Sequence, residues 1–322
     1  MTTTRDKKAR RQIVLLLILA IVAAIIFVTI GINKNNMDYL LSKRIPKVIA
    51  IAISGGAIAF SSILFQTVSN NRILTPSVLG LDSVYSFIQT IVVFIFGSTS
   101  IVMSNKNINF ILSLIGMICI SALLYKIVFK RETNGIMHLL LVGLILGTFF
   151  NSLTSFMQVL IDPNEYLTLQ NKLIASFNNV NTDILVLCIL IILAILPFIY
   201  DELKLLDVMA LGKEQAINLG VNYDKVMKKL LIVVAVMTAM STALVGPLTF
   251  LGLIVVNITY QIVKSFKHKY LISVSILISI CSIIVGLIFV ERVFKFATTL
   301  GVIINFIGGL YFLYLLLKES KL

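Results

Sequence analysis

The sequence predicts an all-α polytopic membrane protein of about ten transmembrane helices, forming a single transmembrane domain over residues 1–322. Three observations carry this reading. The apolar set AVILMFWYC supplies 59% of the residues, against about 45–50% apolar in a soluble domain. Charged residues make up 13% and the mean hydropathy is +1.04, too little polar surface to cover a globule in water. The apolar residues also fall into separate runs near the ~20 residues that a helix needs to cross a bilayer.

The first run, 13–30, follows Arg5, Lys7, Lys8, Arg10 and Arg11 and has no small-residue cleavage site behind it. It therefore reads as a retained helix after a basic cytoplasmic N-terminus, residues 1–12. The runs 48–66 and 77–97 are interrupted by Ser, Gly, Asn and Gln but keep the length of a span. Runs at 108–129 and 136–160 come next, the latter with a G-x-x-x-G pair at Gly143 and Gly147 of the kind that lets two helix backbones approach closely. The sixth and seventh runs, 184–200 and 226–245, flank a long hydrophilic segment, and 248–264, 270–290 and 301–317 complete the ten. With the N-terminus inside, the cytoplasmic segments hold 19 of the 27 Lys and Arg residues and the outer ones 8, in keeping with the positive-inside rule. Both termini are then cytoplasmic in a multi-pass protein of a bacterial cell membrane.

The net charge of +13 and pI near 9.7 belong to those loops. Nucleic acid is not an expected partner, because no basic run is interleaved with aromatics. Cys119, Cys188 and Cys281 are isolated in apolar stretches, so neither a disulfide framework nor a metal site is expected. His138 and His268 read as surface or loop residues. The chain contains no phosphate-binding G-x-x-x-x-G-K-[ST], no dinucleotide fingerprint, and no H-E-x-x-H or G-x-S-x-G motif, so it is read as a non-enzyme with no cofactor and no catalytic residue. Asp82, near a span end, is the sole candidate for a coupling carboxylate, which points to an energy supply outside this chain.

Two regions could carry function. Thr148, Asn151, Ser155 and Gln158 fall on one face of the fifth span, where polar groups should meet other helices or a water-filled path, and Asn257 and Gln261 pose the same choice in the eighth. In the hydrophilic segment, residues 205–225, the apolar Leu211, Ala216, Leu219 and Val221 alternate with charged positions, and Gly220 suits a helix-ending turn. An apolar side outside the membrane predicts a cytoplasmic docking partner.

Several blocks together resemble the FecCD-type permeases of type II ABC importers for iron-siderophores, haem and cobalamin, over about residues 38–317. Arg44-Ile45-Pro46-Lys47 with Ser54-Gly55-Gly56-Ala57 resembles the R-x-P-R block before the second span. The stretch 66–80, QTVSNNRILTPSVLG, is similar to Q-x-x-x-x-N-P-L-A-x-P-x-x-L-G. Gly212, Ala216, Leu219, Gly220 and Val221 match the coupling-helix signature, and Gly246-Pro247 with Phe250-Leu251-Gly252-Leu253-Ile254-Val255 matches G-P-I-x-F-V-G-L-I-V. Departures fall at Asn71-Arg72-Ile73-Leu74 and at Val256-Asn257-Ile258-Thr259-Tyr260, the latter like the branch that handles catecholate siderophores such as enterobactin or petrobactin.

The resemblance implies a permease bundle that pairs with a second permease, a paralogue in a heterodimer or a second copy in a homodimer. It also implies two cytoplasmic ATPase subunits, an extracellular substrate-binding lipoprotein and an iron-siderophore substrate. In that scheme Gly212, Ala216, Leu219, Gly220 and Val221 contact the ATPase. Arg44, Lys47 and Arg292 dock the binding protein from the outer surface, and Thr148, Asn151, Ser155, Gln158 and Asn257 border the translocation path. The competing readings are a permease of the same family for haem or cobalamin, an ATPase-independent secondary carrier, and a membrane enzyme acting on lipids. No mid-span coupling carboxylate, inverted repeat or catalytic cluster in the sequence favours either of the last two.

Overall fold

The computed structural model describes residues 4–33, 37–129, 136–178 and 180–319, and the described residues form only helices and their connections. In chain order these are α1 (Thr4–Thr29), α2 (Met37–Ser69), a 3-10 turn (Pro76–Leu79), α3 (Leu81–Phe96), α4 (Ile101–Ser104), α5 (Lys106–Val128) and α6 (Ile136–Leu160). They continue as α7 (Pro163–Leu173), α8 (Thr182–Met209), α9 (Lys213–Asn218), α10 (Tyr223–Val245), α11 (Leu251–Ile262), α12 (His268–Arg292) and α13 (Leu300–Glu319). Eight of them are long and apolar enough to cross a membrane, and α3 and α11 are shorter apolar helices at the third and eighth expected spans. The ten expected runs thus all become helices.

Helix α2 is the hub. From Ala50 to Val68 nearly every residue is buried, with α10, α12, α11 and α8 packed around it. Small side chains make that crowding possible. A Cβ on Gly55 would lie 2.8 Å from Ile283 Cδ1 and 2.8 Å from Ser279 Oγ, so α12 rests directly on the α2 backbone. Gly252 of α11 is seated in the same way on Ser62, closer than any side chain would allow. Some of the hydroxyls this brings inside are satisfied within their own helices, as where Ser54 Oγ donates to the Ala50 carbonyl at 2.7 Å and Thr67 Oγ1 to Ile63 at 2.8 Å, whereas Ser62 Oγ and Ser279 Oγ at the glycine contacts are buried without a partner. Helices α1, α6, α8 and α13 lie outermost, turning Leu15, Leu144, Leu193 and Leu310 away from the core as lipid-facing positions require.

Between α2 and α3 the chain re-enters the bundle as irregular backbone that ends in the 3-10 turn Pro76–Leu79. Leu79 and Gly80 press on Gly143 and Gly147, in the middle of α6: a Cβ on Gly80 would lie 2.8 Å from the Gly147 Cα, and one on Gly143 would lie 2.9 Å from the Leu79 Cα. The G-x-x-x-G pair therefore receives a turn, whose Gly80 has φ +78°, rather than a helix. Irregular backbone at this depth survives only where protein surrounds it. Here Asn71 N–H donates to Gln66 O at 3.2 Å, Asn257 Nδ2 to Arg72 O at 3.2 Å, and Ser77 Oγ to Thr249 O at 3.5 Å. Thr249 Oγ1 in turn donates to Asp82 Oδ2 at 2.8 Å, which gives that carboxylate a structural partner in the α10–α11 turn.

His268 corrects the sequence expectation. It is buried at the start of α12, where its Nδ1 lies 2.7 Å from Asp207 Oδ1 of α8 and its Nε2 lies 2.9 Å from Thr67 Oγ1 of α2, so one ring ties three helices together. His138 is exposed on α6, as expected.

Candidate functional site

The hydrophilic segment folds into a stiff knuckle at the N-terminal, basic end of the bundle. Gly212, with φ +98°, turns the chain out of α8, and six residues of α9 follow. The helix closes on a Schellman motif in which Gly220 N–H donates to Ile217 O at 2.9 Å and Val221 N–H to Ala216 O at 3.0 Å. Gly220 holds the left-handed φ of +85° that this motif asks of its C′ residue, and a Cβ there would meet nothing within 4 Å, so only its backbone needs glycine. The knuckle is anchored through α10, whose Tyr223 hydroxyl donates to the Val68 carbonyl of α2 at 3.1 Å, and by Lys213 paired with Asp224 at 3.0 Å.

The residues of this segment split by direction. Ala216, expected to contact the ATPase, is instead fully buried against its own chain. Leu211, Ile217 and Leu219 instead point outward, exposed by 55%, 49% and 63%, among Lys213, Glu214 and Asp224. Val221 is half-buried beneath them. Ile217 carried no signal in the sequence because it departs from the alternation that picked out its neighbours.

At the opposite end, Arg44 and Lys47 depart from their expected place on the free surface. Arg44 is buried, its Nη1 donating to the carbonyls of Phe27 at 2.9 Å, Val28 at 3.1 Å and Ile30, the unsatisfied C-terminal carbonyls of α1. Its Nη2 lies 3.7 Å from Glu291 Oε2 of α12. Lys47 Nζ donates to Asn178 Oδ1 at 3.1 Å and lies 3.8 Å from Glu291 Oε1. Two helix-capping and charge-pairing duties thus consume the cations read as docking residues. Of the three, Arg292 is exposed, together with nearby Lys295 and Lys43. In the same region Lys172 of α7 is half-buried, and burial followed by the neighbouring Lys106 lowers its pKa.

On α6 the polar stripe divides as well. Thr148, Asn151 and Ser155 are exposed on the outside of the bundle, among Leu144, Phe156 and Val159. Gln158 turns toward α3 and lies 3.5 Å from Thr90 Oγ1. Asn257, half-buried on α11, spends its amide on the carbonyls of Arg72 and Leu253, the latter at 2.9 Å, and so serves the re-entrant chain. Hydroxyl and amide groups exposed at mid-helix in a lipid-facing position are costly, so the α6 stripe needs either a protein partner or water against it.

A bundle of ten apolar helices with a rigid knuckle at one end and an uncovered polar stripe along one side defines a multi-pass membrane permease. The chain belongs to the FecCD transport family, whose profile matches residues 12–318. It is accordingly a non-catalytic transport subunit, the ATPase residing in a separate subunit. It is 55% identical over 306 residues to the petrobactin import system permease protein YclO of Bacillus subtilis, covering 94% of this chain and 97% of that one. The petrobactin import system permease protein FatC of Bacillus anthracis is 33% identical over 88% of this chain and 80% of its own. Among solved structures, an inward-facing metal-chelate type ABC transporter superposes with a TM-score of 0.81 over 96% of this chain and 99% of that one, at 20% identity, and so shares the fold.

Proposed function

We propose that this chain is a permease subunit of an ATP-driven importer that moves an iron(III)-siderophore of the catecholate class, petrobactin-like, from an extracellular binding lipoprotein into a bacterial cytoplasm. The observation that carries the mechanism is the outward apolar trio Leu211, Ile217 and Leu219 on a knuckle braced by α2, α8 and α10. Apolar side chains held out among charges at the cytoplasmic end give an ATPase a place to grip, and the buried Ala216 makes the knuckle move as one piece with the spans beside it. The basic residues at that end, Arg5 to Arg11 and Lys213 to Lys229, set the N-terminus and C-terminus inside. Thr148, Asn151 and Ser155 then face a second permease subunit, a related chain or a second copy, across the path of the chelate. Two ATPase subunits bind the paired permeases, one on each knuckle.

Docking of the binding protein falls to Arg292 with its exposed neighbours, since Arg44 and Lys47 are engaged internally. The relatives named for petrobactin import support the choice of a catecholate over haem or cobalamin. The test is reconstitution of the purified complex in liposomes, with the binding protein outside and ATP inside. Accumulation of ferric petrobactin that requires ATP is the expected result. Uptake driven by a proton or sodium gradient without ATP would replace this reading with the secondary carrier.

A further inference from the structure

At the basic end, beside the knuckle, a cavity of about 750 Å³ opens between α1, α2, α8, α11 and α12. A pocket of that size holds a sizeable organic group. Its wall carries Arg5, Arg72, Lys264 and Lys267 against one acidic residue, Asp207. Asp207 is already held by the ring and backbone N–H of His268, both at 2.7 Å, and Lys267 by Asp6 at 2.7 Å. Among the described residues, none of Arg5, Arg72 and Lys264 is paired with a carboxylate.

Deeper in the wall, Gln66 is 2% exposed, and both its Nε2 and its Oε1 lack a hydrogen-bond partner. A buried amide left unpaired is destabilising, so the position calls for a ligand group that reaches it. At the rim, Phe266 is 79% exposed in the α11–α12 connection, an aromatic of the kind that sits among lipid headgroups beside the end of a span. Arg72, stacked over the Tyr260 ring at 4.8 Å, keeps a fixed position in the wall.

We infer that this cavity binds a phosphate-bearing anion, the headgroup of an anionic phospholipid, with its phosphodiester against Arg72 and Lys264 and its polar alcohol reaching toward Gln66. Ala210 and Leu211 line the same wall, so an occupied cavity braces the root of the knuckle. The inference rests on the bundle geometry and not on the transport reading.

The full-length chain, purified in detergent with its co-eluting subunits, would be tested by native mass spectrometry and by thermal unfolding, with phosphatidylglycerol, phosphatidylcholine or inorganic phosphate added. Phosphatidylglycerol should remain bound and raise the unfolding temperature, while phosphatidylcholine, whose choline cancels the phosphate charge, should not. Arg72→Gln with Lys264→Gln should weaken phosphatidylglycerol binding by about 30-fold, at close to 1 kcal/mol per basic residue. Should that double variant fail to fold, Lys264→Gln alone and the isosteric Gln66→Glu, which sets a like charge in the cavity, should each lower retention. Inorganic phosphate that stabilises the wild type but none of these variants, with no lipid effect, would keep the site and make soluble phosphate its source. Equal retention of both lipids, or an effect of phosphatidylglycerol untouched by all these substitutions, would overturn the inference. Occupancy of the cavity by an ATPase side chain in the assembled complex, with no lipid retained, would overturn it equally.

Discussion

Glu291 Oε2 lies 3.7 Å from Arg44 Nη2, with both side chains about nine-tenths buried at the end of the bundle opposite the knuckle. The pair joins α2 to α12, and the same guanidinium closes the carbonyl end of α1, so three helices converge on one charge. Arg44→Met should lower stability by roughly 3 kcal/mol, because it leaves three carbonyls without their donor and the Glu291 carboxylate with Lys47 alone. Thermal unfolding in detergent reads this directly. Arg292→Glu, on the exposed side of the same turn, should leave that temperature unchanged and weaken binding-protein affinity at low salt more than at high salt. An Arg44 variant of wild-type stability would remove the capping role.

The knuckle separates folding from coupling. Ala216→Arg forces a long cation into a site with no exposure and should abolish expression of folded protein. Ile217→Asp with Leu219→Asp changes only outward positions and should leave the chain folded while reducing ATPase co-purification at least tenfold. Intact ATPase binding in the latter variant would refute the docking face.

Gly147→Val should cost roughly 3 kcal/mol, since the nearest atom its Cβ would meet, the Gly80 Cα at 3.1 Å, is backbone and cannot move aside as a rotamer would. Gly56→Ala serves as the control, because the nearest atom, Ile276 Cγ2, would sit at an ordinary 3.6 Å. Comparing the yields of folded protein for the two variants checks the claim that position rather than glycine content matters.

Single cysteines at 148, 151 and 155, in a background lacking Cys119, Cys188 and Cys281, should react with a water-soluble thiol reagent in at least one transport state. A cysteine at 158 should react more slowly, because Gln158 faces α3. Uniform protection at 148, 151 and 155 in every state would mean that the stripe is sealed by helix packing.

The spans were legible because lipid leaves one solution for a long apolar segment, a helix, and charge then sets its orientation. The knuckle was legible for the same reason in reverse, since apolar residues among charges outside the membrane have no other explanation. What the sequence could not convey is which side of a residue faces which neighbour. Ala216 reads as small, and only the fold tells whether smallness serves the interior or a partner. Arg44 reads as an outer cation because its carbonyl partners on α1 carry no side-chain signal. His268 reads as a loop residue because its two partners lie 201 and 61 positions away. Gln158 stands only about 20° around the helix from Asn151, so periodicity places both on one face and only the packing of α3, with Thr90, separates them.

The half-length helices also bear on how the chain is made. At ~1.5 Å per residue, α3 reaches about 24 Å and α11 about 18 Å, both short of the ~30 Å hydrocarbon layer. Neither is stable across the membrane alone, and the bare peptide groups between Asn70 and Gly80 cannot sit among acyl chains without their protein partners. Those partners, Gly143, Gly147, Thr249 and Asn257, are synthesised later, Gly143 63 residues after Gly80 and Asn257 185 residues after Arg72. Early helices such as α1 and α2 can enter the bilayer as they emerge from the ribosome, whereas the 70–96 segment must wait near the interface until α6 and then α11 have been translated. Biogenesis of this protein therefore has a late step, the sinking of one segment into a bundle already in place, and a truncation after α5 leaves that step without its template.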